Sequence, residues 1–257
     1  MPEYLLPIVQ PYDYEDILAF LARHATFGVE KVKNSVYYRY VPTTDSYFSL
    51  SITRKENHLK LITDSPIHGQ NVLPNIKKLF DTEHDPNSLP ISSGVRVVGA
   101  FDPFETALSI ILGQLVSIKH ATQKLGQLTR KYGTQLDNEV YIFPKAEDLQ
   151  EREIEEIGIT KNKAGAIREL SKMLINGQLS FEEQDLAKVR RKLLAVKGIG
   201  VWTSELILMR CYGDKDAFPK NDLFIRKAME QLVDEQSWRG KRAYLAHYLW
   251  ANAVKAK

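Results

Sequence analysis

Hydrophobic and polar positions alternate in three short runs near the start of the chain. Ser35–Val41 carries Val36, Tyr37, Tyr38 and Tyr40; Tyr47–Thr53 alternates Phe48, Leu50 and Ile52; His58–Thr63 completes the set. Apolar, β-branched and aromatic residues at a period near two predict strands. The polar stretch Arg54-Lys55-Glu56-Asn57 predicts the turn between the last two. Upstream, Asp13 precedes Ile17, Leu18, Phe20 and Leu21 at helical spacing, which predicts a capped helix running to about Arg23. A second helix is predicted near Ile67–Phe80. Residues 1–82 therefore read as a small mixed α/β unit.

Between residues 81 and 94 the composition shifts to Pro86, Asn87, Ser88, Pro90, Ser92 and Ser93, which marks a boundary. Beyond it nearly every segment has helical periodicity. Phe104–Tyr132 keeps an apolar face over a long span and opens with Asp102-Pro103-Phe104-Glu105, where Asp caps and Pro takes the first helical position. Glu147–Glu156, Lys161–Asn176 and Glu182–Ala195 predict shorter helices. The expected fold class is α+β, mostly α: a small mixed N-terminal domain followed by an all-helical body.

Composition adds limits rather than a function. With 44% apolar and 26% charged residues, the 257-residue chain has enough material for a buried core. Its net charge of +3 says little, but the distribution says more. Residues 190–257 hold 14 Lys+Arg against 7 Asp+Glu, and the remainder holds 21 against 25. Positive charge thus gathers in the C-terminal quarter, as a phosphate-binding face requires. The single cysteine, Cys211, excludes an intrachain disulfide or a four-cysteine iron–sulfur cluster and suits a reducing compartment. The six histidines lack zinc-site spacing. Met1-Pro2-Glu3-Tyr4 has no basic leader, and no run is long and apolar enough for a bilayer, so a cytoplasmic protein without membrane attachment is expected.

Leu194-Ala195-Val196-Lys197-Gly198-Ile199-Gly200-Val201-Trp202-Thr203 carries the most specific chemistry. Gly198 and Gly200 give the backbone conformational freedom and let an anion approach the amides. If a helix begins near Val201, those amides lie at its positive end. A Gly-x-Gly turn is also a routine connector, but between an amphipathic helix and Trp-Thr-Ser-Glu-Leu-Ile-Leu it matches a helix-hairpin-helix DNA-binding element. Twenty residues after Trp202 stands Asp222, in Ala217-Phe218-Pro219-Lys220-Asn221-Asp222. It suits a helix N-cap before Leu223-Phe224-Ile225. An ionised, rigidly held carboxylate beside an anion site can also stabilise a cationic sugar transition state.

These motifs resemble the helix-hairpin-helix DNA glycosylase superfamily, and within it the AlkA-type DNA-3-methyladenine glycosylases. The resemblance extends over most of the chain through Pro11-Tyr12-Asp13-Tyr14, Ile111-Leu112-Gly113-Gln114-Leu115-Val116-Ser117 and Tyr244-Leu245-Ala246-His247-Tyr248-Leu249-Trp250. It implies a TBP-like N-terminal domain over 1–82, a helical domain over 102–214 ending in the hairpin, and a second helical domain from 83–101 and 215–257 that carries the acid. Asp222 falls on the family's catalytic aspartate, and Trp202, Trp250 and Phe20 fall on aromatic positions around a flipped base. Leu115 falls on the apolar wedge that enters the duplex. Lys197, Gly198, Ile199, Gly200 and Thr203 fall in the DNA-binding element. The carbonyls of Leu194, Val196 and Ile199 fall on those that hold a structural monovalent cation, Na+ or K+, and no catalytic cofactor is implied. The implied partner is double-stranded DNA with an alkylated base, docked by a monomer.

Two positions depart from the family pattern. Lys197 stands where proline is usual, and Leu206 where some members place a tyrosine in the base pocket. A lysine nucleophile would suggest a combined glycosylase and abasic-site lyase. In such relatives, however, the lysine occupies the position of Trp202, so monofunctional hydrolysis of alkylated purines is expected. The remaining alternative is a helix-hairpin-helix protein that binds distorted DNA without catalysis.

Overall fold

The computed structural model describes residues 1–43, 46–67, 71–90, 94–229 and 234–255, without the side chains of 253–255. Strands β1 (Glu3–Pro7), β2 (Glu30–Lys33), β3 (Val36–Pro42), β4 (Tyr47–Lys55) and β5 (His58–Thr63) form one antiparallel sheet in the order β1-β5-β4-β3-β2. Alternation fixes which face is buried. Tyr37, Phe48, Leu50, Ile52, Leu59 and Leu61 point into a core shared with helix α1 (Tyr14–His24) and helix α2 (Val72–Phe80). The three strands and two helices expected here are present. Helix α1 is capped by the Asp13 carboxylate, which accepts the Asp16 amide at 3.1 Å. The predicted start of α2 falls partly on residues 68–70, outside the described residues, as do Ser92 and Ser93 of the linker. Strand β4 runs on through Lys55, so the turn narrows to Glu56 and Asn57, with Glu56 at φ +51°.

The second core is built from helices: α3 (Pro103–Leu112), α4 (Ile118–Tyr132), α5 (Ala146–Leu149), α6 (Lys161–Ile175), α7 (Leu186–Ala195), α8 (Val201–Cys211), α9 (Leu223–Met229) and α10 (Arg242–Lys255). The expected Phe104–Tyr132 helix is in fact two. Gly113 ends α3, Leu115 adopts φ +55°, and the Ser117 side chain accepts the His120 amide at 3.2 Å to start α4 afresh. An apolar face that resumes in phase hides such a break from periodicity alone. The Glu147–Glu156 segment likewise resolves into α5 and a 3-10 turn at Ile154–Ile157, and α7 begins only at Leu186 because Asp185 caps it. Among the described residues the body is helical apart from one hairpin, β6 (Thr134–Asp137) with β7 (Val140–Ile142), whose Tyr141 amide donates to the Gly28 carbonyl at 2.9 Å.

A buried ionic cluster ties the sheet to the helical body. Arg39 on β3 bonds Glu30 at 3.0 Å and also Glu105 on α3. The Thr26 hydroxyl donates to Glu105, and the Tyr37 hydroxyl donates to Glu30, each at 2.5 Å. Charges this deep are tolerable only because each is paired and hydrogen-bonded. The cluster joins β2, β3 and the Thr26 turn that follows α1 to α3.

Candidate active site

Helix spacing assembles the site. Trp202, Leu206 and Arg210 recur every four residues on α8, Phe20 and His24 are four apart on α1, and His247 and Trp250 are three apart on α10. Residues at such intervals share a helix face. Phe20, Trp202, Leu206, Asp222 and Trp250 line one cavity of about 350 Å³ between α1, α3, α4, α8 and α10. A larger, shallower groove of about 670 Å³ lies on the N-terminal unit beside Tyr12, Tyr14 and Arg54, and takes none of its lining from α8 or the hairpin.

Asp222 is held from two sides. Its Oδ1 accepts the amides of Phe224 (3.0 Å) and Ile225 (3.2 Å), which caps α9 as expected, and also the Trp250 indole N–H at 3.2 Å. Its Oδ2 accepts the Trp202 indole N–H at 3.1 Å. Both tryptophans therefore orient the carboxylate, and both line the cavity. Three of the four donors converge on Oδ1, so Oδ2 keeps more unused acceptor capacity.

The far wall is an aromatic relay from the N-terminal unit to α10. Phe20 stacks on His24 with centroids 4.2 Å apart, His247 lies 5.3 Å from Phe20, and Trp250 meets His247 edge-on at 5.2 Å. Arg210 lies beneath, its guanidinium carbon 5.0 Å from the Phe20 ring centre and its Nε donating to the Val98 carbonyl at 3.0 Å. Burial and the Arg210 charge push the His24 pKa down to about 4 and that of His247 to about 3. The His24 Nδ1 lies 2.8 Å from the Phe20 carbonyl, which can only accept, so Nδ1 carries the proton and Nε2 is an acceptor. His24 and Arg210 also line the cavity, and sequence reasoning missed both. Their spacing from Phe20 and Leu206 was the available signal.

The hairpin joins α7 to α8. Gly198 has φ +98°, and a Cβ there would meet the Asn162 carbonyl oxygen at 2.9 Å, so glycine is required twice over. Gly200 is extended at φ −92° with open space around it, so its backbone does not demand glycine, although a ligand can come close. Lys197 is exposed and lies outside the cavity lining. Two expected DNA contacts are less accessible than anticipated. Thr203 is 2% exposed and its hydroxyl accepts from Gln114, while the Ile199 amide donates to the Val196 carbonyl at 3.0 Å. Both side chains face inward because their helix and turn positions put them against the body. Leu115, by contrast, is fully exposed on the loop between α3 and α4.

An antiparallel-sheet domain is thus joined to a helical body in which a glycine hairpin adjoins a fixed aspartate that lines the cavity. A family model described as "HhH-GPD superfamily base excision DNA repair protein" matches residues 108–248, and one described as "AlkA N-terminal domain" matches 4–102. The chain belongs to the HhH-GPD superfamily of base excision DNA repair proteins. It is similar to "DNA-3-methyladenine glycosylase 2" of Escherichia coli (strain K12), with 26% identity over 96% of each chain. It is also 28% identical to the "probable bifunctional transcriptional activator/DNA repair enzyme AlkA" of Mycobacterium tuberculosis (strain H37Rv) over 95% of this chain. The chain spans just 56% of that relative's length. Among solved structures, "3-methyladenine dna-glycosylase from Archaeoglobus fulgidus" superposes with a TM-score of 0.77 at 18% identity, covering 96% of this chain and 97% of that one. At that identity the likeness concerns the fold.

Proposed function

We propose that the chain is a monofunctional DNA glycosylase that hydrolyses the N-glycosidic bond of alkylated purines, such as 3-methyladenine, and leaves an abasic site. The observation that carries this reading is the Asp222 carboxylate, held by the indoles of Trp202 and Trp250 at the mouth of an aromatic cavity. Two of its relatives carry the name DNA-3-methyladenine glycosylase. A base reaches such a cavity only after leaving the stack, and an alkylated base leaves at lower cost. The π faces of Phe20, Trp202 and Trp250 attract a cationic purine.

The chemistry balances simply. The glycosidic bond breaks with its electron pair going to the base, so an N-alkylated cationic purine departs neutral. Positive charge develops on the sugar, and in this reading the Asp222 Oδ2 stabilises it. Water adds to the sugar carbon opposite the departing base and gives its proton to solvent. Leu206 in place of an aromatic leaves one wall of the cavity aliphatic, which weakens stacking there.

The hairpin's role in this reading is to hold the strand, with Lys197 as a phosphate contact and Gly198 and Gly200 as the points of close approach. The Leu194 and Ile199 carbonyls accept no hydrogen bond among the described residues, and that of Val196 accepts one. Neutral carbonyl oxygens of this kind fit Na+ or K+ rather than a catalytic metal, and a bound ion would brace the turn. Thr203 acts from behind the hairpin. The expected units, 1–82, 102–214, and 83–101 with 215–257, and a monomeric enzyme on alkylated duplex DNA complete the proposal. The test is release of bases from methylated duplex DNA, with borohydride added to trap any lysine adduct. Base release without an adduct supports the reading; an adduct lost in Lys197→Ala would favour a lyase, and no release a binder.

A further inference from the structure

Leu115 presents a problem of support. A fully exposed leucine at φ +55° sits in a conformation that disfavours side chains, on a loop with Val116 and Ser117 also exposed. Among the described residues the Leu115 backbone makes no hydrogen bond. The tie comes from the residue before it. The Gln114 side-chain amide donates from Nε2 to the Gly198 carbonyl at 2.8 Å and to the Thr203 hydroxyl oxygen at 2.8 Å. Gly198 is the tightly packed glycine of the hairpin, and Thr203 adjoins Trp202 on α8. A second tie runs from Lys163 Nζ to the carbonyl of Leu112 at 2.8 Å, just before the loop.

The loop is therefore joined to the hairpin and to α8 through a single side chain. We propose that Gln114 is a positioning residue that couples the hairpin's grip on a DNA phosphate to the insertion of Leu115 into the duplex. One amide nitrogen spans both elements, so docking of the strand at residues 197–200 sets the depth and angle of the leucine. Both partners of the nitrogen act as acceptors, and this makes the requirement chemical as well as steric. A carboxylate of the same size would face the Gly198 carbonyl with oxygen against oxygen. The inference rests on the glycosylase reading of the site.

Gln114→Glu keeps the side-chain size and loses the donor, and Gln114→Ala removes the side chain. Base release is compared on methylated duplex and on the same strand alone, which has no stacked gap for a wedge to fill. Loss of a hydrogen bond between neutral groups predicts a fall of about tenfold on the duplex, with little change on the single strand. Leu115→Ala should produce the same pattern, and the Gln114→Glu/Leu115→Ala double variant should lose no more than the worse single variant. Melting temperatures should fall by only a few degrees, the shift that about 1.4 kcal/mol produces in a chain of this size. A duplex with 2-aminopurine next to the lesion reports wedge insertion without turnover, and its fluorescence rise should shrink in both Gln114 variants. Equal losses on both substrates, additive losses with Leu115→Ala, or an unchanged fluorescence rise would overturn the coupling. Absence of base release by the parent protein would instead remove the glycosylase reading beneath it.

Discussion

The two tryptophans that hold Asp222 should not be equivalent, and the difference is a sharp check on the site geometry. Trp250→Phe removes one of three donors to Oδ1, and the amides of Phe224 and Ile225 continue to hold that oxygen. Trp202→Phe removes the donor to Oδ2, the oxygen proposed to stabilise the developing charge on the sugar. A hydrogen bond to a charged group contributes about 1.5–3 kcal/mol, and the lower end applies to a half-buried carboxylate. A free carboxylate oxygen that swings out of line loses roughly ten- to a hundredfold in the chemical step. Trp250→Phe, with its oxygen still clamped, should lose less than about tenfold. Both changes shrink a stacking face, so base binding falls in either case. Single-turnover excision at saturating enzyme separates the two effects, because it reads the chemical step alone. Equal single-turnover rates for the two variants would refute the assignment of Oδ2 as the working oxygen.

Other expectations follow from buried charge. Arg39→Met strands the Glu30 and Glu105 carboxylates in the interior, and removal of one partner of a buried pair costs about 3–5 kcal/mol. Urea unfolding should show that loss, and a change below about 1 kcal/mol would mean that the cluster is solvated. The depressed histidines predict a pH dependence. His24, His84 and His247 have pKa values of about 4, 4 and 3 when folded, well below the usual histidine value, so the unfolded chain binds more protons between about pH 4 and 6.5. Stability should therefore be fully present above pH 6.5 and fall as the pH drops towards 4. The slope is about 1.4 kcal/mol per pH unit for each proton taken up, and His247→Phe should flatten it. A flat unfolding free energy from pH 7 to pH 5 would contradict the burial of these rings.

Much of the fold was legible because alternation and capping are local signals. The strands from Val36 to Thr63 announce themselves by period, and Asp13, Asp102 and Asp222 by their place before apolar runs. Strands β1 and β2 were not legible. Glu-Tyr-Leu-Leu-Pro is short and proline-bounded, Glu-Lys-Val-Lys has a single apolar residue, and both lie at sheet edges where pairing rather than pattern makes a strand. The break at Gly113–Ser117 was hidden by the apolar residues that flank it. For the site, residues alone pointed to the hairpin and Asp222, while Phe20, Leu115 and Trp250 rested on the family resemblance. Phe20 and Trp250 meet through contacts between α1, α8 and α10, which no local pattern encodes, and Leu115 lies outside the cavity lining. Gln114 escaped notice because its partners lie 84 and 89 residues away.

The most direct test of the account is single-turnover base release from methylated duplex DNA by the Asp222→Asn variant. The amide keeps the size of the carboxylate and removes its charge. Loss of a preorganised electrostatic group predicts a fall of at least about a hundredfold in the excision rate, with binding to the duplex retained. Excision at the parent rate by Asp222→Asn would contradict the assignment of this carboxylate as the group that stabilises the cationic sugar as the base departs.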